Sequence, residues 1–312
     1  MIHDDVLGAV GRTPLVRLRS VVPSGHAEVL AKLEYFAPGG SIKDRAAVAM
    51  LDAAERDGRV RRGDTIVEAS GGNTGVGLAM ACAVRGYRCI IVVPETTSTD
   101  KLSVLRTFGA EVVSARVDVE PGDPEGYIGR AESLARERKA FMPDQFVNPA
   151  NPAIHERTTA LEILEDCEGR LDAFVACIGS GGTIAGMGRA LREHIPSVRI
   201  VAAVPEDGLG ERGQSVVEGI GADVDDESTH GTPPDVVMRV SDRDAITMTL
   251  RLAREEGILA GASSGVALCA ALRLARELGP GKRVVTMVPD TGRNYLSTYF
   301  NEAWRMARGF EA

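Results

Sequence analysis

The alternation of short apolar runs with segments of helical periodicity constrains this chain more than any other feature. Residues 29–33, 65–67, 89–93, 111–114, 173–177, 199–204 and 283–288 read as strands. They are continuous apolar runs rather than strict inside–outside alternations, which is the mark of strands covered on both faces. Between them, 43–56, 74–85, 100–108, 126–138, 153–166, 183–194, 242–256 and 264–277 carry helical periodicity. That order belongs to parallel, doubly wound α/β sheets. A chain of 312 residues has room for two such domains. The predicted architecture is therefore α/β, with two doubly wound open-sheet lobes and a cleft between them. Segment 205–234 mixes Gly, Asp, Glu and Pro with little periodicity and reads as a mobile loop.

Composition narrows the partners. The 36 Lys+Arg against 44 Asp+Glu leave a formal charge of −8, which argues against nucleic acid, because phosphate binding needs a dense basic face. Arg85 and Arg88 interrupt the most apolar stretch, 76–93. No segment reaches the roughly 18 uninterrupted apolar residues of a membrane span. Residues 1–19 carry Asp4, Asp5 and Gly8 and lack the form of a signal peptide. The five cysteines show no CxxC spacing and three of them lie in apolar runs, which favours buried thiols in a reducing compartment. His3, His26, His194 and His230 have no metal-site spacing, so no metal is expected. These features imply a cytoplasmic soluble protein.

Glycine is in excess, with 35 residues where about 7% of a chain is usual, and much of it is clustered. Pro38-Gly39-Gly40-Ser41, Ser70-Gly71-Gly72-Asn73-Thr74-Gly75, Gly179-Ser180-Gly181-Gly182-Thr183 and Gly261-Ala262-Ser263-Ser264-Gly265 each open a predicted helix. A glycine-rich turn into a helix exposes backbone N–H groups at the positive end of the helix dipole, where an anion is stabilised. Any one of these could be a tight βα connection; four together favour a ligand cleft. Gly179–Ile184 gives GxG without the third glycine of a dinucleotide fingerprint, and no GK[ST] of a Walker A loop follows any cluster. A small phosphate-bearing ligand remains. Lys43 lies in the first turn of its helix, directly after Gly39-Gly40. It is either a solvated lysine or an amine whose pKa is lowered for Schiff-base chemistry.

Pro38-Gly39-Gly40-Ser41-Ile42-Lys43-Asp44-Arg45 resembles the lysine segment of the pyridoxal-phosphate (PLP) enzymes of the tryptophan-synthase-β fold type, in particular the cysteine synthase and cystathionine β-synthase branch. Glu68-Ala69-Ser70-Gly71-Gly72-Asn73-Thr74-Gly75 is similar to that family's substrate loop, Gly179–Thr183 to its phosphate loop, and Gly261–Gly265 to its pyridine-nitrogen segment. Asn148-Pro149-Ala150-Asn151-Pro152 and 289–296 match as well, and the likeness runs from about Gly11 to Phe310.

The resemblance implies a larger cofactor-binding lobe, 1–42 plus 148–312, and a smaller mobile lobe, 43–147, that carries the substrate loop. It implies that Lys43 holds pyridoxal 5'-phosphate covalently and later takes the substrate α-proton. Asn73 would bond the cofactor's ring oxygen, Gly179, Ser180, Gly181, Gly182 and Thr183 its phosphate, and Ser263 its pyridine nitrogen. A serine there stabilises a protonated ring less than a carboxylate would, which favours β-elimination. Ser70, Gly71, Asn73, Thr74 and Gln145 would line the site of the substrate, with its α-carboxylate partly at the helix N-terminus near Thr74. The implied reaction is β-replacement on a serine-type amino acid (O-acetylserine, O-phosphoserine or serine) through an aminoacrylate, in a homodimer.

Sulfide, giving cysteine, is the leading expectation for the nucleophile. An amine giving a diaminopropionate-type product and homocysteine giving cystathionine are the alternatives. Two departures bear on the choice. The family's usual Thr-Ser-Gly-Asn-Thr-Gly is here Ser70-Gly71-Gly72-Asn73-Thr74-Gly75, so Gly71 removes a hydroxyl near the substrate. Gly221, a candidate substrate-site residue, provides no arginine for an O-phosphoserine phosphate, and Ala222 follows where cystathionine β-synthases tend to carry tyrosine. His155 reads as a structural residue of the helix predicted over 153–166.

Overall fold

The computed structural model describes residues 2–119, 123–206, 215–221, 224–226 and 228–310. Ala222 and part of the loop expected over 205–234 therefore lie outside the described residues. Nine strands are described: β1 (Leu15–Arg17), β2 (Glu28–Leu33), β3 (Thr65–Ala69), β4 (Arg88–Pro94), β5 (Glu111–Ala115), β6 (Ala173–Cys177), β7 (Arg199–Pro205), β8 (Val236–Val240) and β9 (Arg283–Val288). The helices are α1 (Lys43–Arg56), α2 (Asn73–Arg85), α3 (Thr99–Thr107), α4 (Tyr127–Arg138), α5 (Ala150–Ile154), α6 (Ala160–Asp166), α7 (Gly182–His194), α8 (Asp242–Glu255), α9 (Ala262–Leu278) and α10 (Glu302–Met306). The chain forms two compact units, one of Met1–Val10 with Ala37–Asn151 and one of Gly11–Phe36 with Pro152–Ala312.

In the first unit β3, β4 and β5 form a parallel sheet in that order. Successive residues of a strand point to opposite faces. Ile66, Ile91 and Val93 accordingly pack with Ala47, Leu51, Leu78 and Leu105 of α1–α3, while Val67, Ala69, Ile90 and Val92 pack with Ala131 and Leu134 of α4. Both faces are covered, which is why these strands read as unbroken apolar runs.

In the second unit the order is β1-β2-β9-β6-β7-β8, parallel except for the antiparallel edge strand β1. Val29, Ala31, Val175, Val201, Ala203 and Val284 form one core with Val266, Ala270 and Leu274 of α9 and Ile246 and Leu250 of α8. α7 packs against β6 and β7. Among the described residues, no helix is long and apolar enough to cross a membrane.

The helix expected over 153–166 is not continuous. Between α5 and α6 the backbone opens into a π-helical turn, His155–Thr159. Gly186 of α7 lies against this turn so closely that a Cβ would collide with Pro152 O and approach Glu156 N at 2.9 Å. A single π turn widens the helix locally, an arrangement common at functional sites.

Candidate active site

In the first unit the segment before α1 is shaped by its own polar groups. Gly39 N–H donates to Asp44 Oδ2 at 2.6 Å, and a Cβ on Gly39 would strike that same carboxylate. Gly40 follows at φ +84, in the left-handed region open to glycine. Ser41 Oγ accepts from Lys43 N at 3.2 Å. Lys43 is thereby the first residue of α1, half-buried, and burial lowers its amine from 10.5 to about 8. Of the two readings open to this lysine, the structure supports the perturbed amine.

The 70–75 loop leaves the carboxyl end of β3 and enters α2. Ser70 N–H donates to Val92 O at 2.9 Å. The Ser70 hydroxyl accepts from Gly72 N (3.3 Å) and Gly75 N (3.0 Å), closing the turn around Gly71. Asn73 and Thr74 are the first two residues of α2. Thr74 Oγ1 donates to Gln145 Oε1 at 2.6 Å, so the structure joins two residues that are far apart in sequence. α2 also approaches α1 closely: a Cβ on Gly77 would lie 3.1 Å from Ala47 Cβ and 3.2 Å from Lys43 O. The helix carrying the loop is thus held against the backbone of the lysine.

Gln145 is held from behind. Asp144, in the left-handed region at φ +53, donates its N–H to Glu68 Oε2 at 2.8 Å, and Asn151 Nδ2 donates to Gln145 O at 2.8 Å. Glu68 is buried in β3, and desolvation pushes its carboxyl up to about 8.

In the second unit Gly179–Thr183 connects β6 to α7. Gly181, at φ +77, is the N-cap of α7 and, having no side chain, caps none of the first-turn N–H groups of this 13-residue helix. A Cβ on Gly179 would lie 2.5 Å from Gly219 O, and one on Gly181 would collide with Ser228 O. Gly221 N–H donates to Ile178 O at 2.8 Å, and His230 Nε2 to Ser180 O at 2.8 Å. The described parts of 205–234 therefore include turns packed on the Gly179–Thr183 segment. Thr183 Oγ1 lies 3.4 Å from His155 Nε2, and His155 Nδ1 lies 3.0 Å from Thr159 Oγ1. Ser263 is the second residue of α9, and the Cys177 thiol donates to its carbonyl at 3.2 Å. Beside it, Ser264 Oγ is buried with no hydrogen-bond partner among the described residues. Tyr299 OH accepts from Ala262 N at 2.9 Å, bracing the start of α9.

Residues 6–290 match the family model "Pyridoxal-phosphate dependent enzyme". The chain belongs to this family. It is 45% identical to the cysteine synthase of Staphylococcus aureus (strain Mu50) over 302 residues, 95% of this chain and 96% of that protein. The crystal structure of O-ureido-L-serine synthase superposes with a TM-score of 0.87 at 38% identity, covering 98% of this chain and all of the other. The O-acetylserine-dependent cystathionine β-synthase of Helicobacter pylori gives a TM-score of 0.88 at 36% identity, covering 96% and 98%.

The residues of this PLP-family chain fit its cofactor. An aldehyde needs a neutral amine, and Lys43 has its pKa lowered toward neutrality. A phosphate needs N–H donors, and the start of α7, whose N-cap is a glycine, offers them behind two glycines at which a side chain would collide with neighbouring backbone. The first unit holds Lys43, Ser70, Gly71, Asn73, Thr74 and Gln145; the second holds Gly179, Ser180, Gly181, Gly182, Thr183, Gly221 and Ser263. Sequence reasoning missed Glu68, Cys177 and His230 as supports of these residues, and it treated His155 as structural without its contact to Thr183. Their partners lie at least 50 residues away for Cys177, Glu68 and His230, beyond any local pattern.

Proposed function

We propose that this PLP-dependent enzyme catalyses β-replacement on a serine-type amino acid such as O-acetylserine, with sulfide as nucleophile and cysteine as product. The observation that carries this reading is the Lys43 amine, desolvated to about 8 and fixed at the head of α1 in the unit that also holds the Thr74–Gln145 pair. The bound cofactor supplies the electron sink for the α-carbon.

Lys43 anchors the cofactor and then, as a free amine, takes the α-proton; the same ammonium returns a proton when product leaves. The N–H groups at the start of α2, with the Ser70, Asn73, Thr74 and Gln145 side chains, bind the α-carboxylate. Because Thr74 occupies Gln145 Oε1, the Gln145 amide presents its NH2 group as a donor. The Gly179–Thr183 amides hold the phosphate, with Thr183 steadied by His155. Ser263 would offer the pyridine nitrogen a neutral hydroxyl, a partner that stabilises a protonated ring less than a carboxylate would and so favours loss of the β-substituent. The 45% identity to a cysteine synthase over 95% of the chain supports sulfide as the nucleophile.

A second reading, a polar nucleophile other than sulfide, draws on the full-length likeness to O-ureido-L-serine synthase and on Gly71. The test is a matrix of donors (serine, O-acetylserine, O-phosphoserine) against sulfide, homocysteine and amines, read by mass spectrometry. Cysteine formed from O-acetylserine and sulfide is the expected result; an amine adduct without cysteine overturns it. A cytoplasmic homodimer completes the proposal, with sedimentation velocity as its check.

A further inference from the structure

The space beside Gly71 is taken up by residues of the turn after β4. A Cβ built on Gly71 would lie 2.8 Å from Pro94 Cδ, 3.0 Å from Thr97 Oγ1 and 3.3 Å from Pro94 Cγ. The volume a side chain at position 71 would occupy is already filled, and a hydroxyl stands at its edge. The two loops are neighbours by topology: β3 and β4 are parallel with Ala69 opposite Val92, so the 70–75 loop and the 94–98 turn leave adjacent carboxyl ends. Ligands of open α/β sheets bind at that edge. Thr97 N–H donates to Pro94 O at 2.9 Å, which fixes the turn and with it the half-buried Thr97 side chain.

The next residue points the same way. Ser98 is the N-cap of α3, a position where serine ordinarily accepts from the helix amides, yet it makes no cap hydrogen bond. Its Oγ is buried without a hydrogen-bond partner among the described residues. One hydroxyl thus stands against Gly71, and the next residue carries a buried hydroxyl without a partner among the described residues.

We infer that Thr97 is a specificity-determining residue whose hydroxyl, standing where a side chain at position 71 would lie, donates to the acyl carbonyl of the amino-acid donor's β-substituent and so favours an acylated donor over a halide. An acyl carbonyl accepts such a hydrogen bond, whereas a β-chloro substituent is a poor acceptor. The inference rests on the β-replacement reading and names a residue that selects the donor at that same site.

The test uses holoenzyme with Thr97→Val, which keeps the shape and removes the hydroxyl, and Thr97→Ser, which keeps it. The readout is the ratio of kcat/KM for O-acetylserine to that for 3-chloroalanine. Thr97→Val is expected to lower the ratio about tenfold, and Thr97→Ser to hold it within about twofold of the parent. Calorimetry supplies a readout without turnover: affinity for 3-acetamidoalanine, the amide isostere, should fall by a similar factor relative to alanine. An unchanged ratio, an equal loss on both donors, or a Ser variant that behaves like Val overturns the role of Thr97. If the parent enzyme turns over neither donor, the β-replacement reading itself fails, and calorimetry alone decides whether Thr97 reads the acyl group.

Discussion

Thr74 Oγ1 and Gln145 Oε1 share a 2.6 Å hydrogen bond in the interior of the first unit. Leaving a buried polar group without its partner costs about 1–3 kcal/mol. Thr74→Val strands the Gln145 carbonyl and frees its amide to rotate away from the substrate carboxylate. The expected outcome is a KM for amino-acid donors raised about tenfold or more, with the cofactor's absorbance unchanged. Steady-state kinetics beside an absorption spectrum check both parts. Loss of the absorbance along with KM would place Thr74 on the cofactor instead.

Lys43 gives a pH dependence of definite sign. Burial lowers its amine from 10.5 to about 8, so between those values the unfolded chain binds the proton more than the folded one. Stability of the cofactor-free protein should therefore rise as pH goes from about 8 toward 10.5, and Lys43→Met should flatten that rise. Capture of added cofactor should accelerate as pH rises through about 8, where the amine becomes neutral. Denaturant titrations and stopped-flow absorbance measure the two effects. Lys43→Ala should abolish the covalently bound cofactor's absorbance band and leave the far-UV circular dichroism intact.

Glu68 has the opposite sign. Its carboxyl is raised from 4.5 to about 8, chiefly by desolvation, with Asp144 adding repulsion. The folded protein holds this proton more firmly than the unfolded chain, so stability is lost as pH rises from 4.5 through about 8. Glu68→Gln keeps an acceptor for the Asp144 amide and removes the buried charge. It is expected to stabilise the protein by a few kcal/mol above pH 8, on the order of 1.4 kcal/mol per pKa unit, and to have little effect near pH 5. Equal effects at both pH values would mean that Glu68 acts through packing alone.

The elements legible in the sequence are those whose signals are local. α1 spans Lys43–Arg56 as its periodicity predicts, and β6 and β9 match their apolar runs to the residue. β1 has three residues, β8 alternates exposure along a sheet edge, and α10 has five residues; none carries a run long enough to read. The π turn at His155–Thr159 depends on the close approach of Gly186, which no 3.6-residue pattern encodes. The candidate site divides in the same way. Lys43, the 70–75 loop, Gly179–Thr183 and Ser263 lie in contiguous motifs. Glu68 behind Gln145, Cys177 behind Ser263 and Thr97 beside Gly71 are visible only after folding joins distant segments.

Gly71 and Gly221 are both glycines of the candidate substrate site, yet they should respond differently to an added methyl group. Neither has a left-handed backbone, so steric room decides. At position 71 a Cβ meets the rigid Pro94 ring at 2.8 Å, and a proline ring cannot rotate out of the way. At position 221 nothing among the described residues lies within 4 Å of the added atom. Gly71→Ala should destabilise the protein by about 1–3 kcal/mol through overpacking. Gly221→Ala should stay within about 0.5 kcal/mol of the parent, its N–H still free to donate to Ile178 O. Combining Gly71→Ala with Pro94→Ala should recover part of the loss, because the two changes share one contact and are not additive. Thermal melts of the four proteins form that cycle. Additivity of the Gly71 and Pro94 changes would show that the ring is not what excludes a side chain from position 71.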